Sequence, residues 1–493
     1  MSEPSAGVNL SARLRERAET LGDAPALVWR GRTLSFAGLE AQVARRAAGL
    51  RRRGLGPGRR VLLLHRVSPR LYATLLAVWR VGAAACLVDP GVGPGGFARR
   101  VRRLRPDAVH AGGFLLPWRA ATAGGDRVEP VDPGDSALLT TTSGTTGTPK
   151  GIARSHGLLA AQLDAIQGSL GLRPRQAEQV TLPVFALANL AAGVTSVLAP
   201  PWARAGVMPA VAAQARAHDA TRCTASPEFF RRALAAGAFP WGRVFTGGAP
   251  VWPGLLRAAD AAAKANAPAD PAAGATLVYG SSEAEPIAEL PAAQLTDAVV
   301  ARVRAGEGLP AGFVVPAATL RVVDPAGGAL PAGSAGELEV AGAHVVPGYL
   351  DGVGDAGAKR HDGGRVWHRT GDLGRLDADG LLWLLGRAGD AAAGGGGPLP
   401  LAVEAAVVEN ARAAGWDLAR VAWVRHAGRS VLVGERGPDP ARGLRPETLR
   451  LWLPEGVDAD EARVVDAIPV DRRHRAKVDR AGLSRLLEAQ RPV

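Results

Sequence analysis

Cysteine is nearly absent from these 493 residues. The two present, Cys86 and Cys223, lie far apart with no Cys-x-x-Cys spacing and no Cys/His cluster. That excludes a disulfide framework and a structural zinc site. Aromatic residues make up only 5% and do not interleave with the basic groups, so the chain lacks the stacking platform of a single-strand nucleic-acid binder. The net charge of +13 comes in short arginine groups (51–53, 99–105, 472–475) rather than one stripe; it reads as a solvated arginine-rich surface, and no nucleic-acid partner is expected. Long apolar runs are missing too. The best window, 181–200, is broken by Pro183, Asn189 and Gly193, short of the roughly 18 apolar residues of a membrane span. The first twenty residues hold no apolar signal core, and the chain reads as cytosolic. With 47% hydrophobic and 21% charged residues it can build an ordinary core. Its length corresponds to about three domains at roughly 150 residues each.

The most informative scarcity is lysine. Only Lys150, Lys264, Lys359 and Lys477 occur among 59 basic residues. Where arginine serves as the generic cation, a retained lysine points to a site that needs a compact, mobile ammonium. Lys264 lies in an alanine-rich helical stretch and Lys359 between glycines and aspartates, so both are expected at the surface. Lys150 and Lys477 sit inside motifs.

Short apolar strands alternate with helical segments along much of the chain, which predicts βαβ units and parallel sheets. Expected helices include 10–21, 36–53, 70–81, 158–170, 187–198 and 253–263; expected strands include 61–64, 84–88, 137–142, 180–183, 244–246 and 275–279. From about 312 to 385, alternating strands separated by Gly/Pro/Asp turns predict a β-rich subdomain. A glycine-rich break then precedes a last segment of about a hundred residues. The fold class expected is α/β: a large N-terminal domain (1–387) of parallel sheets plus the β-rich subdomain, and a small α+β C-terminal domain (388–493).

The strongest motif is Thr140-Thr141-Thr142-Ser143-Gly144-Thr145-Thr146-Gly147-Thr148-Pro149-Lys150-Gly151, expected between a strand and a helix. Glycines let backbone N–H groups converge on an anion, hydroxyls add donors, and a lysine supplies a positive charge for phosphate oxygens. A Walker A loop needs Gly-Lys-Ser/Thr; here Pro149 precedes the lysine and Gly151 follows it, so this is a nucleotide-phosphate loop of another kind.

Residues 143–151 resemble the signature loop of the adenylate-forming superfamily of acyl-CoA synthetases, peptide adenylation domains and luciferases. Further resemblances follow in order. Gly247-Gly248-Ala249-Pro250 resembles the segment lying against adenine, and Tyr279-Gly280-Ser281-Ser282-Glu283 the aromatic-Gly-x-Thr-Glu motif. Thr370-Gly371-Asp372 resembles the Thr-Gly-Asp that binds the ribose hydroxyls, Gly386-Arg387 the pair before the interdomain hinge, and Lys477 the catalytic lysine. The resemblance implies that Tyr279 stacks on adenine, Ser282 meets the α-phosphate and Glu283 helps hold Mg²⁺. Lys150 and the loop (Thr142, Ser143, Gly144, Thr145, Thr146, Gly147) orient pyrophosphate, while Lys477 carries charge as a carboxylate attacks ATP. It also implies a C-terminal domain that swings between half-reactions.

Residues 182–190 correspond to a segment lining the family's acyl pocket, with Phe185, Ala186 and Gly247 as pocket candidates. Adenylation domains carry an aspartate where this chain has Ala186, which disfavours an α-amino acid; the histidine common in acyl-CoA synthetases is missing as well. Leu87-Val88-Asp89-Pro90-Gly91, the 185–190 stretch and 471–477 resemble the β-lactone synthetases of olefin biosynthesis. There the substrate's own hydroxyl is the second nucleophile, and coenzyme A becomes doubtful. A fatty acyl-CoA ligase, transfer to a carrier protein or another acyl-handling partner, and a non-catalytic nucleotide-binding homologue remain alternatives. His156 and His474 have no assigned role.

Overall fold

The computed structural model describes residues 9–89, 92–112, 114–116, 125–141, 150–202, 204, 206–390, 397–418, 420–436, 443–470 and 477–489. The chain forms two compact units. One comprises residues 1–224, 281–286 and 341–368; the other comprises 225–280, 287–340 and 369–493.

In the first unit, a six-stranded sheet runs in the order Phe114–Leu116, Ala108–Ala111, Arg60–Leu64, Ala84–Cys86, Ser136–Thr141, Gly151–Ser155. Its four inner strands are parallel and both edge strands antiparallel. Val61, Leu62 and Leu63 are buried in succession, the pattern of a strand covered on both faces. The connecting helix Pro69–Arg80 begins with proline, whose missing N–H costs nothing in a first turn, and is buried from Leu71 to Arg80. Arg80 is tolerated there because Glu40 receives it through two hydrogen bonds of 2.5 and 2.7 Å. A second sheet carries the parallel strands Arg222–Ala225, Ala177–Val180, Thr195–Leu198 and Pro25–Trp29, with Arg32–Ser35 antiparallel at its edge.

Two sequence expectations need correction here. Residues 187–198 are not one helix: the helix is Pro183–Ala192 and closes at Gly193, whose φ of 77° is the left-handed cap. Val194, Thr195 and Val197 then favour the strand Thr195–Leu198. The strand expected at 180–183 lies at Ala177–Val180, because Pro183 opens the following helix.

The second unit holds the β-rich region. The strands lying wholly or partly in it follow the order Thr319–Val323, Gly336–Ala341, Arg365–Leu376, Leu382–Arg387, Leu309–Val314, Ala284–Pro291, Gly274–Ser281, Arg243–Gly247. The last two run parallel and the pairs flanking Leu382–Arg387 antiparallel. Its C-terminal part is a three-stranded sheet (Val421–His426, Arg429–Glu435, Glu461–Val465) with helices Pro400–Ala413 and Arg480–Ala489. The helix Pro400–Ala413 is anchored by Glu409, which accepts from the Gly254 N–H at 3.0 Å, and by Asn410, which bonds Arg304 at 2.9 Å. No described helix is long and apolar enough to cross a membrane.

Candidate active site

The phosphate-loop candidates Thr142, Ser143, Gly144, Thr145, Thr146 and Gly147 lie outside the described residues, but their flanks are defined. Thr141 pairs with Gly151 where the strands Ser136–Thr141 and Gly151–Ser155 meet. The loop therefore joins two antiparallel strands, and the helix expected to follow it directly begins only at His156. Both strands are tied to the Glu283 motif by one side chain. Arg154 donates to Thr140 Oγ1 at 2.9 Å, to Gln162 Oε1 at 3.0 Å and to the Ser282 carbonyl at 2.5 Å.

Ser282 and Glu283 form the turn between strands Gly274–Ser281 and Ala284–Pro291. Glu283 is held at both ends. Its carbonyl accepts from the Val346 N–H at 2.8 Å, and its carboxylate accepts from the Tyr349 hydroxyl at 2.8 Å. Lys150 lies against the same tyrosine, its Nζ 4.7 Å from the ring centroid, a cation–π distance. Gly354, at φ +100°, borders the lysine so closely that a Cβ there would stand 2.7 Å from Lys150 Cε.

Lys359 overturns its surface expectation. It is only 7% exposed, at the start of the strand Lys359–Asp362, and faces His368 in antiparallel register. Its ammonium donates to the Val346 carbonyl and lies 5.5 Å from the Tyr349 centroid. Burial lowers its pKa to about 8 against the pull of Glu283 and Asp355. Burial, then Lys359, holds His368 neutral at about 4. Burial and Glu283 raise the Tyr349 phenol, so it stays a proton donor. Tyr349 and Arg154 were not singled out from sequence, and Lys359 was set aside as a surface residue. One signal was available: tyrosine occurs only at positions 72, 279 and 349, the same scarcity that marked lysine.

In the second unit, the Thr370-Gly371-Asp372 motif lies within the strand Arg365–Leu376, where Asp372 pairs in register with Arg387. The Asp372 carboxylate accepts from Arg387 at 2.7 Å and from the Tyr279 hydroxyl at 2.7 Å; its N–H donates to Thr370 Oγ1 at 3.0 Å. Burial and Asp372 raise the Tyr279 phenol well above its ordinary value. This group thus brings together Tyr279, Asp372 and Arg387. Gly280 adjoins it in sequence, and the Ser282–Glu283 turn belongs to the first unit. Gly247 ends the strand Arg243–Gly247, and a Cβ there would fall 2.1 Å from the Val278 carbonyl oxygen. Close strand approach alone thus requires glycine. Gly248 follows at φ +79°, and Ala249 is half-buried in the next turn.

Phe185 and Ala186 are buried in the first unit, in the helix Pro183–Ala192. Lys477 is exposed, beside the bridge between Val470 and Val478. Lys264 is at the surface as expected, half-exposed and paired with Asp260 at 2.7 Å. His474 lies outside the described residues. His156 is fully buried, with its Nδ1 accepting from the Leu10 N–H at 3.4 Å and its ring edge-on to Trp79. Burial holds it neutral at about 4, the behaviour of a packed core histidine.

Among the described residues, no group of three or more His, Cys, Asp or Glu could cage a metal. A single carboxylate is nevertheless a fitting donor set for Mg²⁺, which takes one or two protein carboxylates and shares substrate phosphates. Glu283, beside two ammonium groups suited to phosphate, meets that requirement.

The class follows from the likeness of this fold and sequence to known proteins: the chain is an AMP-forming acid ligase of the adenylate-forming fold. A family profile described as "AMP-binding enzyme" matches residues 14–112 and 105–350, and the chain belongs to that family. It is 29% identical to the olefin beta-lactone synthetase of Stenotrophomonas maltophilia over 97% of each chain. It is 31% identical to that of Xanthomonas campestris pv. campestris over 72% of each. Among solved structures, ATP-bound MatB from Rhodopseudomonas palustris superposes with a TM-score of 0.74, covering 98% of this chain and 99% of its own at 22% identity, a likeness of fold.

Proposed function

We propose that the chain activates a fatty or β-hydroxy carboxylic acid with ATP and Mg²⁺, and that the substrate's own hydroxyl then closes a β-lactone. The observation that carries this reading is the similarity to an olefin beta-lactone synthetase along 97% of both chains. It is supported by the neutral Phe185–Ala186 stretch, which offers no counter-charge to an amino acid.

In the first half-reaction the acid's carboxylate attacks the α-phosphorus of ATP and pyrophosphate leaves. Anion meets anion, so catalysis is positioning plus charge neutralisation. Lys477 faces the developing charge; Lys150 and the 142–147 loop orient pyrophosphate; Ser282 meets the α-phosphate. Tyr279, Gly248 and Ala249 border the adenine, Asp372 takes the ribose hydroxyls, and Phe185, Ala186 and Gly247 shape the acyl pocket. Glu283 would hold Mg²⁺, which when bound neutralises phosphate charge. In the second half-reaction the β-hydroxyl oxygen attacks the mixed-anhydride carbonyl, loses its proton, and AMP departs. Acid minus water is the product, and holding the hydroxyl against the carbonyl is a proximity effect. The segment 388–493 acts as a mobile lid hinged after Arg387.

The test is a mass-spectrometric assay with ATP, Mg²⁺ and a long-chain 2-alkyl-3-hydroxy acid, with and without coenzyme A. Product at substrate minus water, formed with AMP and without coenzyme A, is expected. A thioester that forms only with coenzyme A overturns cyclisation and makes the chain an acyl-CoA ligase. Transfer to an added carrier thiol would point to an acyl-handling partner. If no acid yields AMP, the whole reading fails.

A further inference from the structure

Resting on the nucleotide reading above, we propose that Tyr349 is a positioning residue. It holds Lys150 and Glu283 in register, so that the lysine faces a nucleotide's phosphates while the carboxylate faces their divalent cation. Two different parts of one side chain do this. The hydroxyl donates to the Glu283 carboxylate at 2.8 Å, and the ring lies 4.7 Å from the Lys150 ammonium. A bond to a carboxylate is stronger than one between neutral groups, and a ring face holds an ammonium without accepting its protons.

The tyrosine is itself fixed. It is 7% exposed, packs with Ile152, Leu158, Val346 and Ala358, and donates its backbone N–H to Asp355 Oδ1 at 2.7 Å. Gly354 then closes the space beside Lys150. Lys359 shares the ring at 5.5 Å. Two ammonium groups on one ring repel each other, and Glu283 and Asp355 offset that charge at Lys359. Glu283, their counter-charge, reaches them through Tyr349. Asp355, which accepts the Tyr349 backbone N–H, is a second carboxylate acting on Lys359.

A tyrosine that merely filled the core would tolerate loss of its hydroxyl, and that separates the two cases. The experiment is calorimetric titration of the full chain with ATP, in Mg²⁺ and in EDTA, for wild type, Tyr349→Phe, Tyr349→Leu and Glu283→Gln. Phenylalanine keeps the ring, so ATP affinity in EDTA should stay within about twofold while Mg²⁺-ATP affinity falls about tenfold. The half-saturating Mg²⁺ for acid-dependent pyrophosphate release should rise several-fold with it. Leucine removes the ring as well and should weaken ATP about tenfold even in EDTA. Should Tyr349→Phe lower stability, the Tyr349→Phe/Glu283→Gln double variant decides. Binding no weaker than Glu283→Gln alone means the tyrosine acts through the carboxylate, and additive losses overturn the proposal. Wild-type Mg²⁺ behaviour in Tyr349→Phe also overturns it. A wild type that binds no ATP in either condition overturns the nucleotide reading and takes this inference with it.

Discussion

The protein carries two carboxylates tied to tyrosine hydroxyls, and their surroundings differ in what they leave unsatisfied. Asp372 is closed upon itself: Arg387 and Tyr279 both reach it at 2.7 Å, and its charge is matched by its own guanidinium. Glu283 bonds Tyr349, and the nearby cations, Lys150 and Lys359, rest on that tyrosine's ring rather than on the carboxylate. The first arrangement is internally neutral and keeps its shape without a ligand. The second spreads its charges around one side chain, with Glu283 on the Tyr349 hydroxyl, Asp355 on its backbone N–H and both lysines against its ring. A closed group suits orientation of a neutral partner such as a ribose; an open one suits phosphate charge.

The largest expected effect breaks the open group at its carboxylate. Glu283→Gln keeps the shape and still accepts from Tyr349, while removing the charge. Acid-dependent pyrophosphate release should fall about 10²–10³-fold, the usual cost of losing one electrostatic element of a transition state. The melting temperature should stay close to wild type. Measured by single-turnover kinetics, a loss under about threefold would place Glu283 with the structural carboxylates.

Acid should distinguish the groups next. His368 faces Lys359 and is held at about 4, below the 6.5 of an unfolded histidine, by burial first and then by that lysine. A histidine with a depressed folded pKa binds fewer protons folded than unfolded. Stability from this source is therefore complete above pH 6.5 and falls as pH drops from 6.5 towards 4. The span corresponds to about 3 kcal/mol as an upper figure. His156 is held at about 4 by its own burial and adds a second contribution of the same sign. Urea titrations at pH 7.5 and 5 should show the loss, and His368→Gln should flatten part of that slope. A His368→Gln slope equal to wild type would mean the imidazole is already charged in the fold.

Why the open group was only half legible from sequence has a physical answer. Lys150 and Glu283 announced themselves because their motifs are local: glycines, hydroxyls and a charged residue adjoin in the chain. Tyr349 and Lys359 reach the group only through tertiary packing, 199 and 209 positions after Lys150. Lys359 was misplaced because glycines and aspartates nearby suggest a loop, whereas pairing with His368 makes its position the buried end of a strand. Strands with continuous apolar runs, such as Arg60–Leu64, and helices with clear caps, such as Leu10–Leu21, were legible for the opposite reason. The 187–198 error came from reading alanine and leucine as helical past Gly193, where a positive φ ends the helix whatever follows.

The closed group should yield less. Asp372→Asn removes the charge that Arg387 neutralises, while its amide oxygen still accepts from Tyr279. If this group orients a ribose, KM for ATP should rise about tenfold with kcat changed little, the sign of lost uniform binding. A large fall in kcat at unchanged KM would instead give Asp372 a part in the chemistry and erase the contrast with Glu283.

The smallest effect tests whether lysine scarcity carries meaning by itself. Lys264 is as rare a residue as Lys359, yet its side chain is 53% exposed and its single ion pair, to Asp260 at 2.7 Å, is an i,i+4 helix contact. Such pairs contribute about 0.3–0.5 kcal/mol, reduced further by salt. Asp260 also keeps a second partner, the Ala275 N–H at 3.0 Å, so removing the lysine strands no buried charge. Lys264→Ala should therefore shift unfolding by no more than about 0.5 kcal/mol and leave ATP KM and kcat unchanged. A kinetic change beyond about threefold would make rarity, rather than burial against Tyr349, the property separating the lysines.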